Sequence, residues 1–309
     1  MLRTALLAAA RSPRVRRAVE TAPPTRPLVR RFVAGTEATE ALAAARSLRE
    51  QGLRVSLDHL GEHVTGAEQA GSVVAAYREL LAALARGGLT GGAEVSVKLS
   101  ALGQALPVDG EKIALEHARQ ICAAAEQAGS AVTVDMEDHT TTDSTLRVLA
   151  ALRVDFPRTG AVLQAQLRRT EGDCRDLARE GSRVRLCKGA YAAPASVAFP
   201  RPSEVDRSYA RCLAVLMAGS GYPMVASHDP RMVRLAERLA ARNGRGSDEY
   251  EHQMLYGVRP DEQRRLAGEG RRVRVYVPYG HEWYGYFVRR LAERPANVGF
   301  FLRSLASRG

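Results

Sequence analysis

A (β/α)8 barrel is the fold this sequence predicts, and three observations lead to it. Eight short runs dominated by Val, Leu, Ile and Ala recur between residues 53 and 278, as buried parallel strands do. Helix-like segments such as EQAGSVVAAYRELLAALAR and EKIALEHARQICAAAEQAG lie between them. Polar and charged residues gather at one end of the otherwise apolar runs, the end at which barrel enzymes build their sites. A doubly wound sheet is the rival, but it uses about five or six strands, fewer than these runs supply.

The elements follow in order. Residues 1–45 are rich in Arg, Ala and Pro and read as helical segments broken at Pro23 and Pro24. They form an N-terminal helical extension ahead of a barrel over 46–309. The first strands are LRVSLD (53–58), AEVSVKL (93–99), AVTVDME (131–137) and AVLQAQL (161–167). SRVRLCK (182–188), YPMVAS (222–227), YEHQML (250–255) and RRVRVYVP (271–278) complete the set. Asp229-Pro230 sets a capping residue before a proline at the first helical position, and Arg259-Pro260-Asp261 opens another helix. Followed to their C-terminal ends, the strands present Asp58, Lys98, Asp135, Gln164, Arg185 with Lys188, His228, Gln253 and Tyr276.

Composition narrows the function. The 309 residues are 45% hydrophobic and 26% charged, which is ordinary for a globular chain. A net charge of +11, mostly arginine, favours an anionic substrate or cofactor. The arginines are spread along the chain and aromatics are only 6%, which argues against nucleic acid, whose binders concentrate charge beside stacking rings. Cys122, Cys174, Cys187 and Cys212 form no C-x-x-C pair, so neither a zinc ribbon nor a disulfide framework is indicated, and a reducing cytosol fits. No apolar run approaches the ~20 residues of a membrane span. MLRTALLAAARSPRVRRAVE reads as an amphipathic helix, with a basic helix on an anionic membrane surface as the alternative.

Several motifs compete. GGLTGG (87–92) and NGRGSD (243–248) precede strands and read as turns, so no dinucleotide fingerprint is present. HLGEH (59–63) matches a zinc peptidase pattern, but it follows a strand directly and carries Gly61 in its middle, so a loop is the better reading and no metal is expected. In RLCKGAY (185–191), Arg185 and Lys188 flank a strand end, and Gly189 permits close backbone approach by a phosphate or planar anion. YGYFVRRLAERPAN (284–297) places Tyr286, Arg289, Arg290 and Glu293 on one helix face. Surface ion pairs would explain that spacing. They would not explain Tyr276, Tyr279, Trp283, Tyr284, Tyr286 and Phe287 within twelve residues, which suggest a pocket for a small carboxylate with an apolar body.

Together these segments resemble the proline dehydrogenase family, flavoenzymes with a distorted (β/α)8 barrel and a C-terminal helix over its mouth. The resemblance runs from about residue 53 to 305 through LDHLGE, VSVKLSALG, VDMED, LQAQ, RLCKGAY, ASHDP, YEHQMLYG, RVYVPYG and YFVRRLAERPAN, in that order. It implies that Arg289, Arg290 and Lys98 bind the carboxylate of L-proline. Tyr276, Tyr286, Tyr191 and Leu255 would enclose its ring, Glu293 would hold the arginine pair, and Glu62 would form an ion-pair gate with Arg289. FAD would have Arg185 near its reactive N5 and Asp135 beside the ring system. Gln164, Cys187, Lys188, Gly189, His228, Gln253 and Met254 would line the rest of its site. The implied reaction releases 1-pyrroline-5-carboxylate and passes electrons to a membrane quinone.

Departures accompany the resemblance. FPRP (199–202) puts Pro200 and Pro202 where the family usually has Thr and Lys against the nucleotide half of the flavin. FAD is expected to bind more weakly or with altered ribityl–adenosine geometry. Gln166 stands at an often aromatic position and suggests no role. The length excludes a fused aldehyde dehydrogenase, so a monofunctional cytoplasmic enzyme is expected, its Arg-rich N-terminus the candidate contact with the inner membrane face. The alternative from another class is a non-redox basic barrel binding a phosphorylated ligand or nucleic acid.

Overall fold

The computed structural model describes residues 26–61, 64–178 and 182–293, the first and the last three by backbone alone. The described residues form a closed barrel of eight parallel strands in sequence order. They are β1 (Arg54–His59), β2 (Ala93–Val97), β3 (Val132–Val134), β4 (Gly160–Gln164), β5 (Arg183–Cys187), β6 (Tyr222–Ala226), β7 (Glu251–Leu255) and β8 (Val273–Tyr279). β8 closes on β1 with Val55 opposite Val275 and Leu57 opposite Val277. Each expected run overlaps its strand, with β1, β4 and β8 each reaching one residue beyond the expected bounds. The fourth stops early because Leu167 N–H turns back to the Gln164 carbonyl at 3.0 Å, although Ala165 and Gln166 still donate to the β5 edge.

A helix follows each strand. α1 (Arg26–Phe32) and α2 (Ala38–Glu50) precede the barrel, then come α3 (Ala67–Arg86), α4 (Gly110–Gln127), α5 (Thr142–Asp155), α6 (Thr170–Leu177) and α7 (Pro202–Ala218). α8 (Pro230–Arg242), α9 (Pro260–Gly268) and α10 (Trp283–Glu293) complete the order. The start signals act as read: Asp229 accepts from the Arg231 N–H, and Pro230 and Pro260 open α8 and α9. Pro202 likewise opens α7, a position where the missing N–H costs nothing.

Successive strand residues point to opposite faces. Val55, Leu57, Val95, Val97, Val132, Val134, Val273, Val275 and Val277 point outward and form the main core with α2–α5. The inward set is mostly polar: Ser56, Glu94, Ser96, Thr133, Asp135, Arg185, Glu251, Gln253 and Arg274 are all buried, with Val162 and Met224 the apolar members from β4 and β6.

α2 settles where the last helix goes. Its Ala41, Ala45 and Leu48 are buried against β1 and β8, so the boundary expected at residue 45 falls inside a helix that belongs to the barrel's packing. In a regular barrel the helix after β8 would occupy that flank. Here α10 packs with α1 instead, burying Leu28, Phe32, Leu60, Val258, Tyr286 and Phe287 together beside the C-terminal strand ends. Gly257, at φ +70°, lets the β7–α9 turn meet the α1 backbone, since a Cβ there would overlap the Arg31 carbonyl.

His252 lies on the outward face of β7, fully buried, with Tyr250 edge-on at 5.5 Å. Among the described residues neither ring nitrogen has a hydrogen-bond partner. Burial, aided by Arg271 and Arg265 against Glu262 and Glu251, draws its pKa down to about 4. The unfolded chain therefore binds a proton that the folded chain refuses between the ordinary histidine value and about pH 4. Stability is whole above that window and falls as pH drops through it, by about 3 kcal/mol at the lower end. Urea unfolding at pH 7 and pH 4 should show His252→Asn losing about that much less than the parent chain; equal losses would contradict a neutral buried His252.

Candidate active site at the barrel mouth

The strand ends converge on one hydrogen-bonded chain. Lys98 Nζ donates to both Asp58 carboxylate oxygens at 2.7 Å, lies 3.3 Å from the Tyr276 hydroxyl, and sits 3.6 Å from Asp135 Oδ2. Tyr276 donates to Asp135 Oδ2 at 2.8 Å, and Asp135 Oδ1 accepts from Arg185 Nη1 at 2.8 Å and Ser96 Oγ at 3.1 Å. Arg185 Nε donates to Gln253 Oε1 at 2.6 Å, and its guanidinium lies 5.3 Å from the Tyr276 ring centre. β1, β2, β3, β5, β7 and β8 each supply a member, so a closed barrel is needed to assemble it.

The charges are held firmly. Burial opposes ionisation of Arg185, but Asp135 and Glu94 outweigh it and raise its pKa. Burial, then Asp135 and Asp58, push the Tyr276 phenol well above its usual value, so it remains a donor.

Around this chain lie the other expected residues. Gln164 donates to the Glu137 carbonyl at 2.7 Å, and the Glu137 carboxylate takes the Ser100 N–H at 3.0 Å and its hydroxyl at 2.5 Å. His228 Nε2 accepts the Leu255 N–H at 2.9 Å, which assigns the proton to Nδ1. Burial raises the Cys187 thiol to about 11, and it donates to the Leu163 carbonyl at 3.5 Å. Lys188, expected to serve a cofactor, is held by Asp206 at 2.5 Å and Asp229 at 3.0 Å, and Arg231 bonds the same two carboxylates. Gln253 faces the interior while Met254, its neighbour, is buried outward among the core residues. The strand period of two separates these side chains, so the Met254 side chain faces the helices and its backbone alone is left toward the strand end.

Gly189 has φ +109°, and a Cβ there would overlap the Gln166 side chain. Gln166, which suggested no role, donates to the Tyr191 carbonyl at 2.8 Å, and its own carbonyl accepts the Phe199 N–H at 2.8 Å. It ties the β4 end to the loop carrying Tyr191.

α10 brings the arginine pair over this floor. The Arg289 guanidinium is 5.9 Å from the Tyr191 ring centre, and that of Arg290 is 5.0 Å from the Tyr286 ring centre. Leu255 and Tyr276 pack against the cluster that contains Tyr286. The single aromatic wall expected from 276–287 divides. Trp283 packs on Phe287 at 5.8 Å and Phe287 on Phe32 at 6.5 Å, whereas Tyr279 packs on His59 at 5.2 Å. Tyr276 and Tyr286 of that group lie beside guanidinium groups. Glu62 lies outside the described residues, as does the Glu293 side chain, so the expected gate and arginine clamp fall outside them too.

Asp58 was legible only as a strand end. Ser56, Ser96, Glu94, Glu251 and Arg274 were missed, although polar residues at every second position of β1, β2, β7 and β8 signalled them.

Removing one partner of a buried ion pair leaves the other uncompensated, which costs about 3–5 kcal/mol. Asp58→Asn should therefore destabilise by about that amount in urea unfolding, and adding Lys98→Met should recover most of the loss. Additive losses would show that the pair is uncoupled.

Known proteins resemble this chain closely. The family model described as proline dehydrogenase matches residues 41–303. A Deinococcus radiodurans protein named proline dehydrogenase is 39% identical over 280 residues, covering 90% of both chains. Proline dehydrogenase 1 of Bacillus subtilis is 38% identical over 281 residues, covering 91% of both. Proline utilization A of Bdellovibrio bacteriovorus, solved after inactivation by N-propargylglycine, superposes with a TM-score of 0.80 at 25% identity. That match takes in 87% of this chain and 33% of the other, so this chain spans about a third of that protein. With near full-length likeness in sequence and a matching barrel, this chain belongs to the proline dehydrogenase family.

Proposed function

We propose that this chain is an FAD-dependent L-proline dehydrogenase, oxidising L-proline to 1-pyrroline-5-carboxylate at the barrel mouth. One observation carries the reading. The paired arginines of α10, set over Tyr191 and Tyr286, share the mouth with the Lys98–Tyr276–Asp135–Arg185 chain. Planar cation forks beside tyrosine rings suit a small carboxylate with an apolar body.

Arg289, Arg290 and Lys98 would bind the substrate carboxylate, and Tyr276, Tyr286, Tyr191 and Leu255 would enclose its ring. Two guanidinium forks fix orientation better than one ammonium, and the reacting C–H must be aimed for transfer. Glu293 would aim the arginines, and Glu62 would close over the site by pairing with Arg289.

The mouth's donor set fits a flavin. A heteroaromatic ring with carbonyl edges needs hydrogen-bond donors and a nearby cation, and Gln164, Gln253, protonated His228 Nδ1 and Arg185 supply them. Gly189, at φ +109°, makes room for Gln166, and Cys187 would stand beside the flavin as a neutral thiol. Lys188 would reach a phosphate only by loosening its bonds to Asp206 and Asp229. When bound, FAD supplies the two-electron acceptor for the hydride from the substrate ring. Asp135 holds both Tyr276 and Arg185 in place, and Arg185 favours the negative charge that develops during reduction. The substrate amine must lose its proton first, so activity rises with pH until that amine is neutral.

A membrane quinone is the proposed final acceptor. No helix among the described residues is long and apolar enough to cross a membrane. The basic segment before residue 26 would supply a peripheral contact with an anionic surface.

Anaerobic L-proline should bleach the visible flavin band of the flavin-loaded protein, and a persistent band would sink the reading. Arg290→Lys should raise the proline KM tenfold or more, about 1.4 kcal/mol, with flavin content unchanged. Loss of flavin in that variant would show that α10 serves the cofactor.

A further inference from the structure

Below the site, the barrel interior carries a closed polar circuit. Arg185 Nε donates to Gln253 Oε1 at 2.6 Å, and Gln253 Nε2 donates to Glu251 Oε1 at 2.6 Å. Glu251 takes Arg274 Nε at 2.6 Å and Nη2 at 3.0 Å. Arg274 Nε lies 3.7 Å from Glu94 Oε1, which accepts from Arg185 Nη2 at 3.0 Å and so closes the ring. Glu94 Oε2 takes Arg183 at 2.5 Å, and Arg274 Nη1 donates to the Val55 and Gly92 carbonyls at 2.9 and 2.8 Å.

Two properties follow. Arg185 also donates from Nη1 to Ser96 and Asp135 and from Nη2 to Ser56, so a guanidinium with five N–H groups meets five acceptors inside the barrel. The buried charges are also paired: Asp58, Glu94, Asp135 and Glu251 face Lys98, Arg183, Arg185 and Arg274.

We infer that Glu94 and Arg274 are positioning residues for Arg185, which acts on the cofactor as a fixed charge whose effective size they set. This rests on the proposed flavin site. A guanidinium braced by five acceptors is held in one place, so its charge reaches the cofactor from a fixed position. Its field passes through a water-poor interior where charges are weakly screened. Glu94, bonded to Arg185, subtracts from it, and Arg274 adds to it. Glu251 and Gln253 complete the brace: Glu251 anchors Arg274, and the amide of Gln253 is oriented by donating to Glu251 while accepting from Arg185.

The test measures the flavin midpoint potential against reference dyes, beside flavin content and thermal unfolding, in the FAD-loaded full chain. Wild-type protein is first bleached with L-proline; failure there sinks the functional reading itself. Given bleaching, Glu94→Gln should raise the potential and Arg274→Gln should lower it. Each should shift the dye equilibrium about tenfold, or about 30 mV for a two-electron couple. The double variant should return close to wild type. A buried charge left alone can prevent folding. In that event Glu94→Asp keeps every charge in the core, draws the carboxylate back from Arg185, and should raise the potential by a smaller amount. Flavin-loaded variants with unchanged potentials, or Glu94 and Arg274 variants that shift the same way, would overturn the inference.

Discussion

The buried guanidinium of Arg185 is the interaction on which the rest of this barrel depends. A barrel interior of this size is ordinarily filled with branched apolar side chains in layers. Burying a cation there costs several kcal/mol unless its charge is balanced and its donors are met. Glu94 and Asp135 provide the balance, and Ser56, Ser96 and Gln253 take the remaining donors. The small inward residues of β1 and β2 leave room for the long side chain to cross the barrel. Replacing buried ion pairs with apolar residues often leaves stability unchanged, so such a core is better understood as a device for orientation.

Orientation at the floor matters because the other half of the site is built separately. α10 is free to cover the mouth because α2 already occupies the flank between β8 and β1. The two ends of the described chain then meet, with α1 burying Phe32 against Phe287 and the Gly257 turn pressed on the α1 backbone. The floor is rigid and polar, whereas the roof is attached by apolar packing. A small amino acid would enter between them, its carboxylate toward α10 and its ring toward the strand ends.

The departures in FPRP gain a local explanation. Pro202 is the first residue of α7, with Glu204 bonded back to Arg201 at 2.9 Å through its guanidinium. Arg168 covers the Phe199 ring at 4.8 Å. The segment is thus shaped by a helix start and a cation–aromatic contact, and Gln166 ties it to β4.

The sequence by itself determined the element order, the barrel class and the residues at the strand ends, because hydrophobic period and proline or capping signals are local properties of the chain. It also exposed the arginine pair and the family motifs. Tertiary structure decided which of those residues face one another. Met254 turned outward beside Gln253, Lys188 was taken by two carboxylates, and the aromatic cluster of 276–287 split between site and packing. Only closure of the barrel could bring Glu94, Arg185, Glu251 and Arg274 together. They lie up to about 180 residues apart in the chain. The alternation that points them inward is short-range, but the partner each one meets is set by strand order and register.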